Sequence, residues 1–177
     1  MKRGHWQILL AAALFLLALG LTLYPVVSNW YIGRHQSRIQ TEYREVLEQT
    51  DSAEIESIRE SAVAYNKTIT PGAAEEAYSQ ASIRLAAEDY VNQLNVSGSG
   101  IMGYVEIPKI GVDLPIYHGT GADSLDRGTG HLLGSSLPVG GESTHTIITG
   151  HSGMASQKMF TDLEQLREGD IFYLHVL

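Results

Sequence analysis

The chain opens with a long apolar segment. Residues 4–33 contain no Asp, Glu, Lys or Arg, and residues 8–27 are almost continuously apolar. Twenty helical residues rise about 30 Å, which matches the hydrocarbon thickness of a bilayer. Aromatic side chains of the kind found at membrane interfaces flank the segment at both ends (Trp6, Tyr24, Trp30 and Tyr31). The pattern therefore predicts a transmembrane helix at about residues 8–27.

A cleaved signal peptide is the alternative interpretation of this segment. Val26 and Ser28 are small enough for a cleavage site, but the apolar run is longer than the usual 7–15 residues of a signal peptide. We therefore expect an uncleaved membrane anchor over residues 1–33. Lys2 and Arg3, together with the α-amino group, favour a cytoplasmic N-terminus. The expected protein crosses the cell membrane once, with the remaining residues outside the cell.

Residues 34–96 carry a helical pattern. Apolar side chains recur at spacings near 3.6 residues, with charged residues between them (Ile39, Tyr43, Ile58, Ala62 and Tyr65). We expect an interruption at residues 50–52, where Asp51 or Ser52 can cap a second helix. Thr70-Pro71-Gly72 ends that helix, and a further helical stretch is expected at about residues 73–94. The Ser/Gly-rich residues 95–100 mark the predicted domain boundary.

From residue 97 the pattern changes to short apolar runs separated by glycine and proline. It predicts strands at residues 102–107, 112–117, 144–149 and 171–176, with short helices at 122–127 and 157–166. Pro108 and Pro115 are expected at strand edges or ends, because proline donates no ladder hydrogen bond. Many short strands with turn residues between them favour a β-barrel or a β-sandwich.

Charge and composition exclude several classes of function. The net charge is −8, and no cluster of basic residues indicates a nucleic-acid partner. The absence of cysteine from these residues excludes disulfides and thiolate metal sites within them. His131, His145 and His151 follow no recognised metal-ligand spacing, and the glycines near residues 119–121 and 128–130 extend to no phosphate-binding fingerprint. No cofactor or metal is therefore predicted.

One histidine has the setting of a catalytic side chain. The β-branched run at residues 146–149 stops at Gly150, and His151, Ser152 and Gly153 follow. A sheet holds the ends of its strands rigidly, and imidazole exchanges protons near neutral pH. His151 is thus our candidate catalytic residue. The alternative is a loop histidine that donates a hydrogen bond to a backbone carbonyl.

Several motifs around His151 resemble those of a known enzyme family. They are GYVEIPKIGVDLPIYHG at residues 103–119, GTGH at 128–131, SLPVGGESTH at 136–145 and TGHSG at 149–153. In this order they resemble the catalytic barrel of the sortases, in the arrangement of class C, the pilin-polymerising sortases of Gram-positive bacteria. The resemblance implies a mainly β fold, in which a sortase-type β-barrel beginning near residue 97 is preceded by a transmembrane helix and amphipathic helices. Since four predicted strands cannot close a barrel, we expect an incomplete one.

The same resemblance implies a function. Sortases are cysteine transpeptidases that join pilin subunits at an LPXTG-type sorting signal through a thioacyl intermediate. His151 would serve as the general acid, and an arginine would hold the substrate. Because the chain contains no cysteine, we expect it to be the N-terminal part of a sortase, inactive by itself. The alternative is a catalytically inactive, membrane-tethered module that binds sorting signals or pilin.

Class C sortases also carry a lid before the barrel, often anchored by an Asp-Pro-aromatic motif. Residues 34–96, the membrane-proximal or lid region, contain no such motif. No residue is therefore assigned as a lid anchor.

Overall fold

The computed structural model describes residues 2–70, 88–154 and 157–177. Most of the further helical stretch expected at residues 73–94 lies outside the described residues, although residues 88–92 are helical. The helices are α1 (Lys2–Gln49), α2 (Ser52–Asn66) and α3 (Ala122–Leu125). The strands are β1 (Ile101–Ile107), β2 (Val112–His118), β3 (Thr129–His131), β4 (Ile148–Thr149) and β5 (Tyr173–His175). Two 3₁₀ turns occur at Pro108–Ile110 and Leu163–Gln165.

The apolar N-terminal segment and the residues after it form one helix. α1 continues for 48 residues through Pro25 and past Gly33. Within the described ranges, this is the one helix long and apolar enough to cross a membrane. The large apolar side chains of its first half are exposed, as a membrane-embedded surface requires.

The predicted interruption between the first two helices is confirmed. α1 ends at Gln49, and Asp51 caps α2 by accepting a 2.7 Å hydrogen bond from the Ala53 backbone N–H. Glu54 lies in the first turn, where its charge is favourable to the helix dipole. The cap lets the chain turn, so that α2 packs Ala62 against the core.

The strands form a single mixed sheet in the order β4-β3-β2-β1-β5. β1 and β2 are antiparallel and are joined through the 3₁₀ turn, which Gly111 closes in a left-handed conformation (φ 60°). β2 and β3 are parallel, with α3 in the crossover between them. As described, this sheet is open, and the expectation of an incomplete sortase-type barrel is confirmed.

Side chains alternate between the two faces of β1 and β2. On one face Ile101, Tyr104 and Tyr117 pack against Tyr43 of α1. The side chains on the other face belong to the main core, which also includes residues of α2, of residues 90–94 and of the segment around Phe160. The sheet residues of this core are Met102, Val105, Ile107, Leu114 and Ile116. The sheet is therefore covered by α1 on one side and by α2 on the other.

The structure differs from the sequence predictions in several places. β3 was not predicted, because three residues that include a glycine give no detectable alternation. β4 has only two residues instead of the predicted six at 144–149. The segment around residues 157–166 forms turns and the 3₁₀ helix Leu163–Gln165 instead of an α-helix.

Pro115 is the clearest exception to the expectation for proline. It lies inside β2, which has β1 on one side and β3 on the other, so the prediction of an edge or end position was wrong. The Pro115 carbonyl accepts a 2.9 Å hydrogen bond from Thr129 Oγ1, so its backbone polar groups face β3. The ladder with β3 starts only at Ile116, and no ladder N–H is therefore needed at Pro115.

Candidate active site around His151

His151 lies two residues beyond β4, the strand that positions it. β4 pairs with β3 through Gly130 opposite Thr149 and His131 opposite Ile148. A 2.9 Å hydrogen bond from the Leu132 N–H to the Ile147 carbonyl extends this pairing. The short strand is thus attached to the sheet directly before the candidate residue.

The backbone of His151 is held from the other side by the segment that contains Phe160. The Phe160 N–H donates to the His151 carbonyl at 3.0 Å, and the Gly153 N–H donates to Thr161 Oγ1 at 3.0 Å. The Phe160 ring also packs on Gly150, where an added Cβ would lie 2.8 Å from the ring. The absence of a side chain at Gly150 therefore allows the Phe160 ring to approach closely. This packing and the two hydrogen bonds fix the backbone position of His151.

The imidazole of His151 lies beside a carboxylate. Its side chain is 37% exposed, and Nε2 lies 3.8 Å from Oδ1 of Asp126, the residue that follows α3. The Asp126 backbone is held by a hydrogen bond from its N–H to Ala122 and by one from Gln157 Nε2 to its carbonyl, at 2.8 Å and 3.0 Å. At this distance the two groups are within ion-pair range but are not hydrogen-bonded.

Comparisons with known proteins agree with this architecture. The sequence model of the sortase domain family matches residues 105–176. The chain is similar to the crystal structure of Streptococcus pneumoniae sortase C, with 39% identity and a TM-score of 0.64 over 79% of this chain and 68% of that one. The chain belongs to the sortase family. Sortase C1 of Streptococcus agalactiae is similar as well, at 38% identity and a TM-score of 0.68 over 79% and 70% of the two chains.

These neighbours confirm the class C resemblance of this sortase. It is also similar to sortase D of Bacillus subtilis (strain 168), at 38% identity over 68 residues, or 38% of this chain. The matched region spans 31% of that curated relative's length.

His131 is a structural residue in this sortase. It is fully buried, Nε2 lies 2.9 Å from the Ser136 carbonyl, and Nδ1 lies 2.9 Å from the Tyr90 hydroxyl. Since a carbonyl only accepts, Nε2 carries the proton and Nδ1 accepts in the neutral ring. Burial lowers the pKa of His131 to about 4, so the ring is neutral at physiological pH. Its buried, hydrogen-bonded environment indicates a structural role in the core and not proton transfer.

The remaining histidines lie apart from His151 or have other partners. His118 bridges the carbonyls of Gly100 and Gln93, and His175 pairs with Glu106 at 2.9 Å. His145 is exposed in the loop before β4. In the described parts of the chain no group of His, Asp or Glu side chains has the arrangement of a metal site, so His131, His145 and His151 are not brought together as ligands.

A further connection leads from α2 to the loop that precedes β4. Asn66, the last residue of α2, donates from Nδ2 to the Leu137 carbonyl at 3.1 Å and accepts from the Leu137 N–H at 2.7 Å. The adjacent Ser135 and Ser136 accept the backbone N–H groups of Ile147 and His145 at 3.2 Å and 3.1 Å. α2 is thereby joined through one loop to the residues that enter β4.

The sequence predicts His151 as a candidate but not the residues that contact it. Asp126 lies 25 positions and Phe160 nine positions from His151, and neither stands in a pattern that indicates chemistry. The one available signal in the sequence was Gly150, a glycine directly before the candidate histidine. The packing of the Phe160 ring explains why a glycine is needed there, and this packing is visible only in the structure.

Proposed function

We propose that this sortase acts as a cysteine transpeptidase in which His151 exchanges protons with a thiol. The observation that supports it most directly is the placement of a half-exposed imidazole at the end of β4, held by Phe160 and accompanied by Asp126. An imidazole fixed in this way can serve as general acid and then as general base. The 177 residues contain no cysteine, so the thiol lies outside them.

The proposed cycle has two acyl transfers. A cysteine thiolate attacks the carbonyl of the threonine in an LPXTG-type signal, and the Thr–Gly bond breaks with formation of a thioester. Protonated His151 gives its proton to the departing glycine amine. The neutral imidazole then removes a proton from an incoming amine, which attacks the thioester and releases the thiolate, so that the thiolate and the protonated imidazole are both restored.

We propose pilin subunits as the substrates. The support is the class C resemblance, together with the pneumococcal sortase C structure, which is described in terms of pilin substrate specificity. The resolving amine would be a lysine of the next subunit. The exposed apolar half of α1 supports a location in the cell membrane, with the His151 region outside the cell.

Two experiments test the proposal. Sequencing the gene past codon 177 should find a Thr-Cys pair followed by an arginine, and an open frame that lacks both contradicts the transpeptidase. In the full-length protein, His151→Ala should abolish pilin polymer while the protein stays folded. His145→Ala, at an exposed histidine in the loop before β4, is the matched control and should polymerise normally.

The second candidate function is an inactive, membrane-tethered module that binds sorting signals or pilin. The absence of cysteine from the 177 residues is what favours it. An assay with an LPXTG peptide distinguishes the two candidates. The inactive module binds the peptide without turnover, and His151→Ala leaves that binding unchanged. Thioester formation with the peptide would exclude it.

A further inference from the structure

α1 joins the apolar segment to the sheet without a linker. The same uninterrupted helix contains residues 8–27 and the residues that contact the sheet. Pro25, where a helix can kink, lies within the apolar segment, and residues 26–49 contain no proline. The helix between the end of the membrane segment and the sheet therefore transmits orientation along its axis, which a Gly/Ser-rich linker does not. The position of the sheet relative to α1 is thus also its position relative to the end of the membrane segment.

Contacts on successive turns fix the sheet against α1. Gln36 Nε2 donates to the Arg127 carbonyl at 3.2 Å, and the Tyr43 hydroxyl donates to the Met102 carbonyl at 3.0 Å. Arg44 Nε donates to the Tyr104 hydroxyl at 2.9 Å, with its guanidinium over the ring of the same tyrosine. Gln36, Gln40 and Tyr43 are buried in this contact. Polar and apolar contacts over more than two turns leave little freedom for rotation or sliding.

The contacts also set the level of the His151 site along α1. Gln36 binds the carbonyl of Arg127, and the preceding residue, Asp126, lies beside His151. Nine residues separate Val27 from Gln36 in the sequence, which is about 14 Å of helix at the usual rise. Each interfacial headgroup layer extends about 5–7 Å beyond the hydrocarbon, so this level lies roughly 7 Å outside the lipid headgroups.

The charge of α1 changes at the same level. Residues 4–41 contain no carboxylate, whereas Arg34 and Arg38 are present and the first acid is Glu42. The Arg34 guanidinium lies over the Trp30 ring, 5.3 Å from its centroid, an aromatic–cation pair suited to an interface. Glu42 is fifteen residues beyond Val27, or about 22 Å. Arg34, about 10 Å beyond Val27, is thus the basic residue nearest to the lipid phosphates, whereas Arg38 pairs with Glu42 at 3.1 Å.

We propose that α1 is a rigid strut that holds the His151 site just outside the lipid headgroups. The proposal relies on the membrane location given under the proposed function, but not on the chemistry of His151. Its partner is the bilayer surface itself. A substrate must then present its scissile bond close to the membrane, because the site cannot move away from it.

The absence of cysteine from the 177 residues leaves them free of competing labelling sites. Single cysteines are introduced in the full-length protein, with any cysteine beyond residue 177 replaced by alanine, at the exposed positions Ser152, beside His151, and Glu48, near the end of α1. A fluorophore on each is used to measure energy transfer to acceptor lipids in vesicles of phosphatidylcholine and phosphatidylglycerol. The label at 152 should lie about 15–20 Å closer to the bilayer than the label at 48, as the helix rise predicts.

Two insertions after Ser28 decide whether the coupling is rigid. A helical insertion of two turns, about seven residues, should move both labels away from the bilayer by about 10 Å. A Gly/Ser insertion of equal length is the matched control and should broaden both distance distributions. The proposal is overturned if the distance at 152 ignores the helical insertion, or if the unmodified chain already shows the broad distribution. Release of the chain from vesicles by alkaline carbonate also overturns it.

These outcomes are separable from those for the proposed function. A full-length His151→Ala variant that still polymerises pilin contradicts the catalytic role and leaves the measured distances unaffected. Conversely, a flexible attachment in vesicles removes the strut and leaves the catalytic role intact.

Discussion

His151 and Asp126 face each other from different elements, with Nε2 of the histidine 3.8 Å from Oδ1 of the aspartate. The first follows β4 and the second follows α3, and they are 25 positions apart in the sequence. At this distance the carboxylate forms no hydrogen bond, but its charge can stabilise the imidazolium that the proposed cycle requires. Because Asp126 is 69% exposed, water screens this interaction.

The first prediction concerns this pair. Asp126→Asn in the full-length protein should lower the turnover number for transpeptidation by up to about fivefold, since an exposed ion pair contributes at most about 1 kcal/mol. The binding of the substrate peptide should change little. Asp123→Asn, at an exposed carboxylate on the helix that Asp126 follows, is the control. Equal turnover for both variants would remove Asp126 from the site.

A second prediction concerns Gly150. Gly150→Ala places a methyl group against the buried Phe160 ring, which must shift together with the hydrogen bond from Phe160 to His151. Overpacking of this kind costs about 1–3 kcal/mol of unfolding free energy, and we expect reduced transpeptidation as well. Gly33→Ala, where no atom lies within 4 Å of the added Cβ, should cause no loss. Chemical denaturation and turnover assays measure the two effects, and an unchanged Gly150→Ala variant would show that the Phe160 contact is unimportant.

The third prediction is a pH dependence of stability. His131 has a pKa of about 4 in the folded protein because of its burial, against an ordinary value of 6.5. The unfolded chain therefore binds this proton first, so the stability present above pH 6.5 is lost progressively as the pH falls toward 4. The loss attributable to His131 is about 3 kcal/mol.

Urea denaturation at several pH values measures this loss. His145→Gln, at an exposed histidine, should leave the pH dependence unchanged, whereas His131→Gln should reduce it. If His131→Gln does not fold, an NMR titration of the His131 ring in the unmodified protein replaces it. A ring that becomes protonated above pH 6 would contradict the assignment.

A fourth prediction concerns the connection between α2 and the loop before β4. Asn66→Ala removes the acceptor of the Leu137 N–H, whereas the Leu137 carbonyl keeps its 2.8 Å hydrogen bond from the Val139 N–H. Because Leu137 is fully buried, we expect the unpaired N–H to cost about 1–3 kcal/mol of unfolding free energy. Asn66→Asp keeps the acceptor and should lose less. Asn92→Ala is the control, because the side chain of this exposed residue donates to the Glu88 carbonyl one turn earlier. Thermal unfolding ranks the three variants, and equal values for Asn66→Ala and Asn92→Ala would contradict the role of Asn66.

Long or strongly patterned elements were predictable from the sequence alone. The apolar run placed α1, the Asp51 cap placed the start of α2, and alternating apolar residues located β1 and β2. Each of these depends on interactions within one segment or on a periodicity that a face of the element must satisfy. The candidate histidine was found in the same way, because a strand pattern and two glycines surround it.

What only the tertiary structure decided depends on neighbours distant along the chain. β3 exists because β2 and β4 supply its partners, and Pro115 is tolerated inside β2 because β3 begins one residue later. His131 became a neutral core residue and His151 an accessible one, although both are histidines near glycines. Local sequence determines which conformations a segment prefers. Burial, hydrogen-bond partners and the distance to Asp126 are properties of the packed chain, so they appear only when the segments meet.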